Sequence, residues 1–150
     1  TRRPPLDRFN ALISFLYAML MNDCRSACEA AGLDAQLGFL HAVRPARAAL
    51  ALDLQEEFRS ILADRLALTL INRGQITADD FDEREGGAVM LGDDGRRAVV
   101  TAWQERKQEE ITHPLTESKI PIGLLPFVQA RFIARTIRGE MEGYLPYLAK

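Results

Sequence analysis

A chain of 150 residues and 16.8 kDa is long enough for one domain with a sizeable core. With 47% hydrophobic and 27% charged residues and a net charge of −2, it has an ordinary globular composition. The strongly basic footprint of many DNA-binding domains is missing, so any contact with nucleic acid must rest on local charge. The apolar stretch around Ala11–Met21 is about half the length of a membrane span, and the Arg- and Pro-containing start has no secretory cleavage pattern.

Phe9, Ile13, Leu16, Tyr17 and Leu20 recur at steps of three and four, which predicts a helix from about Leu6 to Ala31, with Pro5 in its first turn and Gly32 as its stop. Cys24 and Cys28 fall on this helix. Two cysteines without further Cys or a nearby His do not make a zinc site; they read as small packing residues in a reducing cytosol. Leu37–Leu40 reads as a short extended segment or a turn into a further helix. A second long helix is expected from about Ala48 to Asn72, with Gly74 just beyond it. On it Leu54, Phe58, Ile61 and Leu62 face inward, while Asp53, Glu56 and Ser60 share another face.

Thr77 to Asp82 reads as a capped helical turn and Ala88–Leu91 as a short strand between Gly-rich turns. A helix is expected from Arg96 to Thr112, ended by Thr112-His113-Pro114, because the residue before proline disfavours helical geometry. Leu115 to Pro121 reads as a loop. A last helix runs from about Leu124 to Arg138, stopped by Gly139. No repeat, low-complexity segment or linker is visible. The expected fold is mainly α with a small β element, forming one domain over residues 1–150.

Chemistry concentrates in Gly38-Phe39-Leu40-His41, in Arg44 and Arg47 after it, and in Leu52-Asp53-Leu54-Gln55-Glu56-Glu57-Phe58-Arg59. Imidazole with carboxylate oxygen suits a divalent cation that keeps open positions, and arginines beside it suit a phosphate-bearing substrate. On spacing alone His41 reads as a structural histidine, and Asp53, Glu56 and Glu57 read as a solvated acidic face. Asp53 and Glu56, three apart, are helical neighbours; Glu57 points elsewhere and is expected to pair with a basic residue. Arg59 is placed either to meet a phosphate or to form a surface ion pair. Arg131, Arg135 and Arg138 make one basic stripe, either a solvated face or a track for DNA phosphates. His113 reads as structural. Asp79, Asp80 and Asp82 lack the later ligands of a calcium loop. Packing and solvation account for Trp103, Arg106 and Lys107.

These words together resemble one family. Arg3-Pro4-Pro5-Leu6-Asp7-Arg8-Phe9-Asn10-Ala11-Leu12 is followed by Asn22-Asp23-Cys24, Gly32-Leu33-Asp34, the Gly-Phe-Leu-His segment and the Asp-Leu-x-Glu-Glu-Phe-Arg helix. Leu70-Ile71-Asn72-Arg73-Gly74, Gln104-Glu105-Arg106-Lys107 and Gln129-Ala130-Arg131 complete the series. The whole chain resembles the large helical C-terminal domain of the CRISPR-associated integrases, in a form similar to that of type I-C systems.

The resemblance implies a cytoplasmic, metal-dependent DNA nuclease and integrase that inserts protospacers into CRISPR arrays for antiviral defence. It assigns His41 and Glu56 as catalytic metal ligands for Mg2+, with Mn2+ as substitute, and Asp53 as an accessory beside them. Arg44, Arg59, Arg131, Arg135 and Arg138 become DNA-backbone contacts. The implied partners are double-stranded DNA (protospacer and repeat), a second copy of the chain, and a small ferredoxin-like subunit bridging two such dimers. The family's β-rich N-terminal domain and a third ligand, a helical glutamate, are not within residues 1–150. The chain is therefore expected to be a fragment, inactive by itself. A non-catalytic scaffold binding protein or DNA is the alternative, in which His41 and Glu56 are purely structural.

Overall fold

The computed structural model describes residues 7–33 and 44–147, with the backbone alone for 44–49. Asp7 starts the first helix, α1 (Arg8–Ala30), by accepting a 2.8 Å hydrogen bond from the Asn10 backbone N–H, the usual way of satisfying a free donor at a helix start. Leu12, Leu16, Leu20, Cys24 and Ala27 form one fully buried stripe along it. Gly32, in the left-handed region at φ 74°, turns the chain out of the helix. Burial pushes the Cys24 thiol upward, which leaves it a neutral packing group, as expected.

The second long helix is interrupted. It consists of α2 (Arg44–Phe58), a π segment (Arg59–Asp64) and α3 (Arg65–Asn72), and Gly74 at φ 69° follows it. At the end of the π segment the Arg65 N–H bonds to the Ser60 carbonyl, five residues back. The reason lies in the spacing of the apolar side chains. Leu54, Phe58, Leu62, Leu66 and Leu70 recur every four residues and are all buried. In a regular α-helix such a row drifts by about 40° per step, because four residues exceed one turn. The wider π turn takes up that excess and returns Leu66 and Leu70 to the core that Leu54 and Phe58 enter.

α1 is the axis of the domain: α2, the π segment, α3 and the last helix, α5 (Leu125–Ile137), all pack on it. α4 (Asp93–Gln108) lies against α3 and adds the buried Val99 and Trp103 to the core. Gly139, at φ 78°, follows the end of α5.

Each of two small antiparallel hairpins exceeds the expected β content. Strand β1 (Phe81–Glu83) pairs with β2 (Val89–Leu91), so the expected strand has a partner where a helical turn was expected. The capped turn does exist just before it, at Ala78–Asp80, where Asp80 accepts from the Thr77 N–H at 2.8 Å. Strand β3 (Glu110–Thr112) pairs with β4 (Lys119–Pro121), replacing the last turn of the expected helix and part of the expected loop. α4 stops early because Glu109 adopts an extended ψ of 134°. The mainly α fold with a small β element is otherwise as the periodicity implies.

Candidate functional site

On the outer face of α2, Asp53 and Glu56 are both exposed, one helical turn apart. Helix geometry alone brings these carboxylates together. Arg59, the first residue of the π segment, forms an ion pair with Glu56 and lays its guanidinium over the Tyr17 ring, 4.5 Å from its centre. Tyr17 in turn donates to Asp64 at 2.6 Å, and Gln55 donates to the Tyr17 carbonyl at 2.7 Å. Burial and the Asp64 hydrogen bond hold the Tyr17 phenol above its ordinary pKa. Tyr17 thus anchors Arg59 and α2 to α1, and Arg59 carries both the ion pair and a cation–π contact.

His41 lies outside the described residues, as does the side chain of Arg44; Arg44 begins α2. Among the described residues no group of three or more His, Cys, Asp or Glu side chains converges as a metal cage. The donors on α2 nonetheless fit a hard divalent cation in kind, being exposed carboxylate oxygens on one face of a rigid element. An imidazole arriving from the preceding segment would complete a mixed nitrogen–oxygen set.

The neighbouring Glu57 does something else. It has no basic partner among the described residues, contrary to expectation, and its carboxylate points inward to the end of the chain. Tyr144 Oη donates to it, 2.7 Å from each oxygen, the Tyr147 backbone N–H donates at 2.7 Å, and Gln129 Nε2 lies at 3.3 Å. Gln129, fully buried on α5, also donates to the Leu145 carbonyl at 3.0 Å and to Tyr144 Oη at 2.9 Å. Its own carbonyl oxygen lies 2.8 Å from His113 Nε2. His113 Nδ1 accepts the Leu115 N–H at 3.0 Å, which makes Nε2 the donor towards Gln129. His113 is therefore structural, as expected, though it orders a hairpin rather than ending a helix. Burial, then the Glu57 hydrogen bond, push the Tyr144 phenol well above its usual range.

The basic stripe on α5 is only partly available. Arg131 and Arg135 are exposed, while Arg138 is tied to Glu140 by two bonds of 2.8 and 3.1 Å. Trp103 is buried, Lys107 pairs with Asp23 at 3.0 Å, and Arg106 donates to the Ile61 carbonyl at 3.1 Å, so structure accounts for all three. A cleft of about 340 Å³, which spacing did not reveal, has Arg65, Arg73 and Arg106 along its wall with Glu105 and Glu109. Sequence reasoning also missed the junction around Glu57; Tyr144-Leu145-Pro146-Tyr147 was its one visible sign, an aromatic pair around a proline after the last helix.

Among the described residues no helix is long and apolar enough to cross a membrane. A CRISPR-associated endonuclease Cas1 of Moorella thermoacetica is 60% identical over 147 residues, covering 98% of this chain and 43% of that protein. The chain thus spans less than half of that relative. A casposase bound to its integration product superposes with a TM-score of 0.81 at 27% identity, over 99% of this chain and 44% of that one. A Cas6-RT-Cas1–Cas2 complex gives 0.72 at 26% identity, over 99% of this chain and 16% of that one. The model of the CRISPR associated protein Cas1 family matches residues 1–105, and this chain belongs to that family.

Proposed function

We propose that this chain is the helical catalytic part of a divalent-metal-dependent DNA endonuclease and integrase that inserts protospacers into CRISPR arrays. The observation that carries the proposal is the 60% identity to a Cas1 endonuclease; the fold shared with a casposase bound to integration product supports it. In the reaction, a DNA 3′-hydroxyl oxygen attacks a phosphodiester of the array. The new oxygen–phosphorus bond forms as the bond to the outgoing 3′ oxygen breaks, and the attacking hydroxyl's proton is lost while the departing oxygen gains one. Bound Mg2+, or Mn2+ in its place, supplies polarisation of the phosphoryl oxygen and stabilises developing charge.

His41, as neutral imidazole, and Glu56 would hold that ion, and Asp53 would fix their orientation. To hold the ion Glu56 would have to give up Arg59, and an exposed ion pair of that kind is worth at most about 1 kcal/mol, so it would offer little opposition. Arg59, still seated on Tyr17, would then be free to meet a phosphate, and Arg44, at the far end of α2, would meet the backbone elsewhere. Arg131, Arg135 and Arg138 would follow the duplex further away. Two ligands from residues 1–150 hold a hard cation weakly, so the third, a glutamate, is expected from elsewhere in the full protein.

The implied partners are double-stranded protospacer and repeat DNA, a second copy of the chain, and a small ferredoxin-like subunit, in the cytoplasm and in a type I-C-like system. The Cas1–Cas2 arrangement named for one structural neighbour supports a partner of that kind. The test is strand transfer of a short duplex into a repeat-bearing plasmid by full-length enzyme. Magnesium-dependent product should vanish in His41→Ala and Glu56→Ala; wild-type product from either would leave the scaffold alternative standing.

A further inference from the structure

Resting on the assignment of Glu56 above, we infer that the segment Tyr144–Tyr147 positions the site from behind, with Glu57 as its positioning residue. Glu56 and Glu57 are consecutive on α2, so fixing one carboxylate fixes the rotation of the helix that presents the other. Glu57 is gripped from three directions, by a phenol, a backbone N–H and a buried amide. Tyr147, only 5% exposed, stacks its ring 5.4 Å from that of Phe58, the next residue along α2, and 5.7 Å from His113.

The grip falls where the helix is least able to hold itself. The π segment begins at Arg59, and Phe58 just before it has φ −116°, ψ 0°, outside the helical range. The regular α-helix ends at Phe58, two residues after Glu56. A carboxylate presented from the end of such a helix needs a second contact to stay within the fraction of an ångström that a metal site demands. Glu57, with Tyr144, Tyr147, Gln129 and Phe58, supplies it from α5 and the chain end. Unlike Glu56, Glu57 never needs to touch ion or DNA.

The experiment uses full-length enzyme carrying Glu57→Gln or Tyr144→Phe, with Glu56→Ala alongside. Two quantities are read: amide hydrogen exchange of residues 55–60 in metal-free protein, and the Mg2+ concentration giving half-maximal strand transfer. Both substitutions preserve shape, and thermal melting reports the global fold. Exchange should rise locally, and the Mg2+ midpoint should rise by about tenfold, the usual cost of losing an outer partner of a ligand. An unchanged midpoint and unchanged local exchange, with Glu56→Ala inactive, overturns the inference while leaving the site intact. Exchange rising equally throughout the domain, with no shift in midpoint, also overturns it, because the contact is then structural only. An active Glu56→Ala instead removes the site assignment itself, whatever Glu57 does.

Discussion

Two polar groups of residues share α2 and α5, one exposed and one turned into the domain. The outer one comprises Asp53, Glu56 and Arg59 on α2 and the π segment, with Arg131 and Arg135 on α5; all but the partly covered Arg59 are exposed. The inner one comprises Glu57 on α2 and Gln129 on α5, joined to Tyr144, Tyr147 and His113 by hydrogen bonds of 2.7–3.3 Å. Residue type does not separate them, since both contain glutamate. Between Glu56 and Glu57 the helix turns by about 100°, and the reach of Tyr144 and Tyr147 claims Glu57 alone. The outer carboxylates are free to exchange partners, whereas the inner one is committed, and changing each should have opposite consequences for activity and for stability.

The largest contrast is expected in catalysis. In full-length enzyme, His41→Ala or Glu56→Ala should lower strand transfer by more than about a hundredfold, beyond the loss typical of an outer partner, with the melting temperature nearly unchanged. Equal loss of activity and fold would erase the division between the two regions.

Stability should show the reverse. Glu57→Ala strands the Tyr144 hydroxyl and the Tyr147 N–H in a mostly buried setting and should cost about 2–3 kcal/mol in urea unfolding. Glu56→Ala removes one exposed ion pair and should stay within about 0.5 kcal/mol.

Alkaline titration sharpens the same point. Tyr144 is held protonated in the fold, first by burial and then by Glu57, above its ordinary value of 10.0. Its contribution is fully present below pH 10 and fades as pH rises through the elevated folded value, at up to about 1.4 kcal/mol per pH unit. Tyr144→Phe should flatten stability against pH above 10; an unaltered slope would mean that the phenol is not held by the inner junction.

The smallest effect separates members of the outer region. Arg131→Ala and Arg135→Ala should each lower the salt dependence of duplex affinity by about one unit of slope. Arg138→Ala should change it less, because Glu140 already occupies that guanidinium.

What was legible in the sequence follows the range of the forces involved. α1 and α5 were readable because Leu12, Leu16 and Leu20, or Ala130, Phe132 and Ile133, record burial locally, and Gly32 and Gly139 mark their ends through positive φ, as Gly74 marks the end of α3. The inward set Leu54, Phe58, Ile61 and Leu62 was readable for the same reason. Three-residue strands such as Phe81–Glu83 and Lys119–Pro121 are too short for alternation to register, and their pairing partners are set by the turn between them. The π segment was hidden because stepwise spacing of four fits a helix of either kind over one or two turns. Glu57 was misassigned because its partners lie 87 and 90 residues away, beyond any local pattern. Only the family resemblance, and no local pattern, singled out Glu56 and Asp53 from a solvated acidic face; His41 falls outside the described residues.

The π segment carries one consequence for how such a chain tolerates insertion and deletion. A single-residue deletion within 59–64 would let the region close into an unbroken α-helix, keeping every α-helical hydrogen bond and nearly every apolar side chain. Because the π turn holds one residue more than an α turn, α2 and α3 would keep their relative rotation, with Asp53, Glu56 and Glu57 still on their faces. The same deletion inside α2 or α3 has no surplus residue to give up and would turn the two halves against each other by about 100°. The extra residue works as slack, so a deletion here would be less damaging than one on either side.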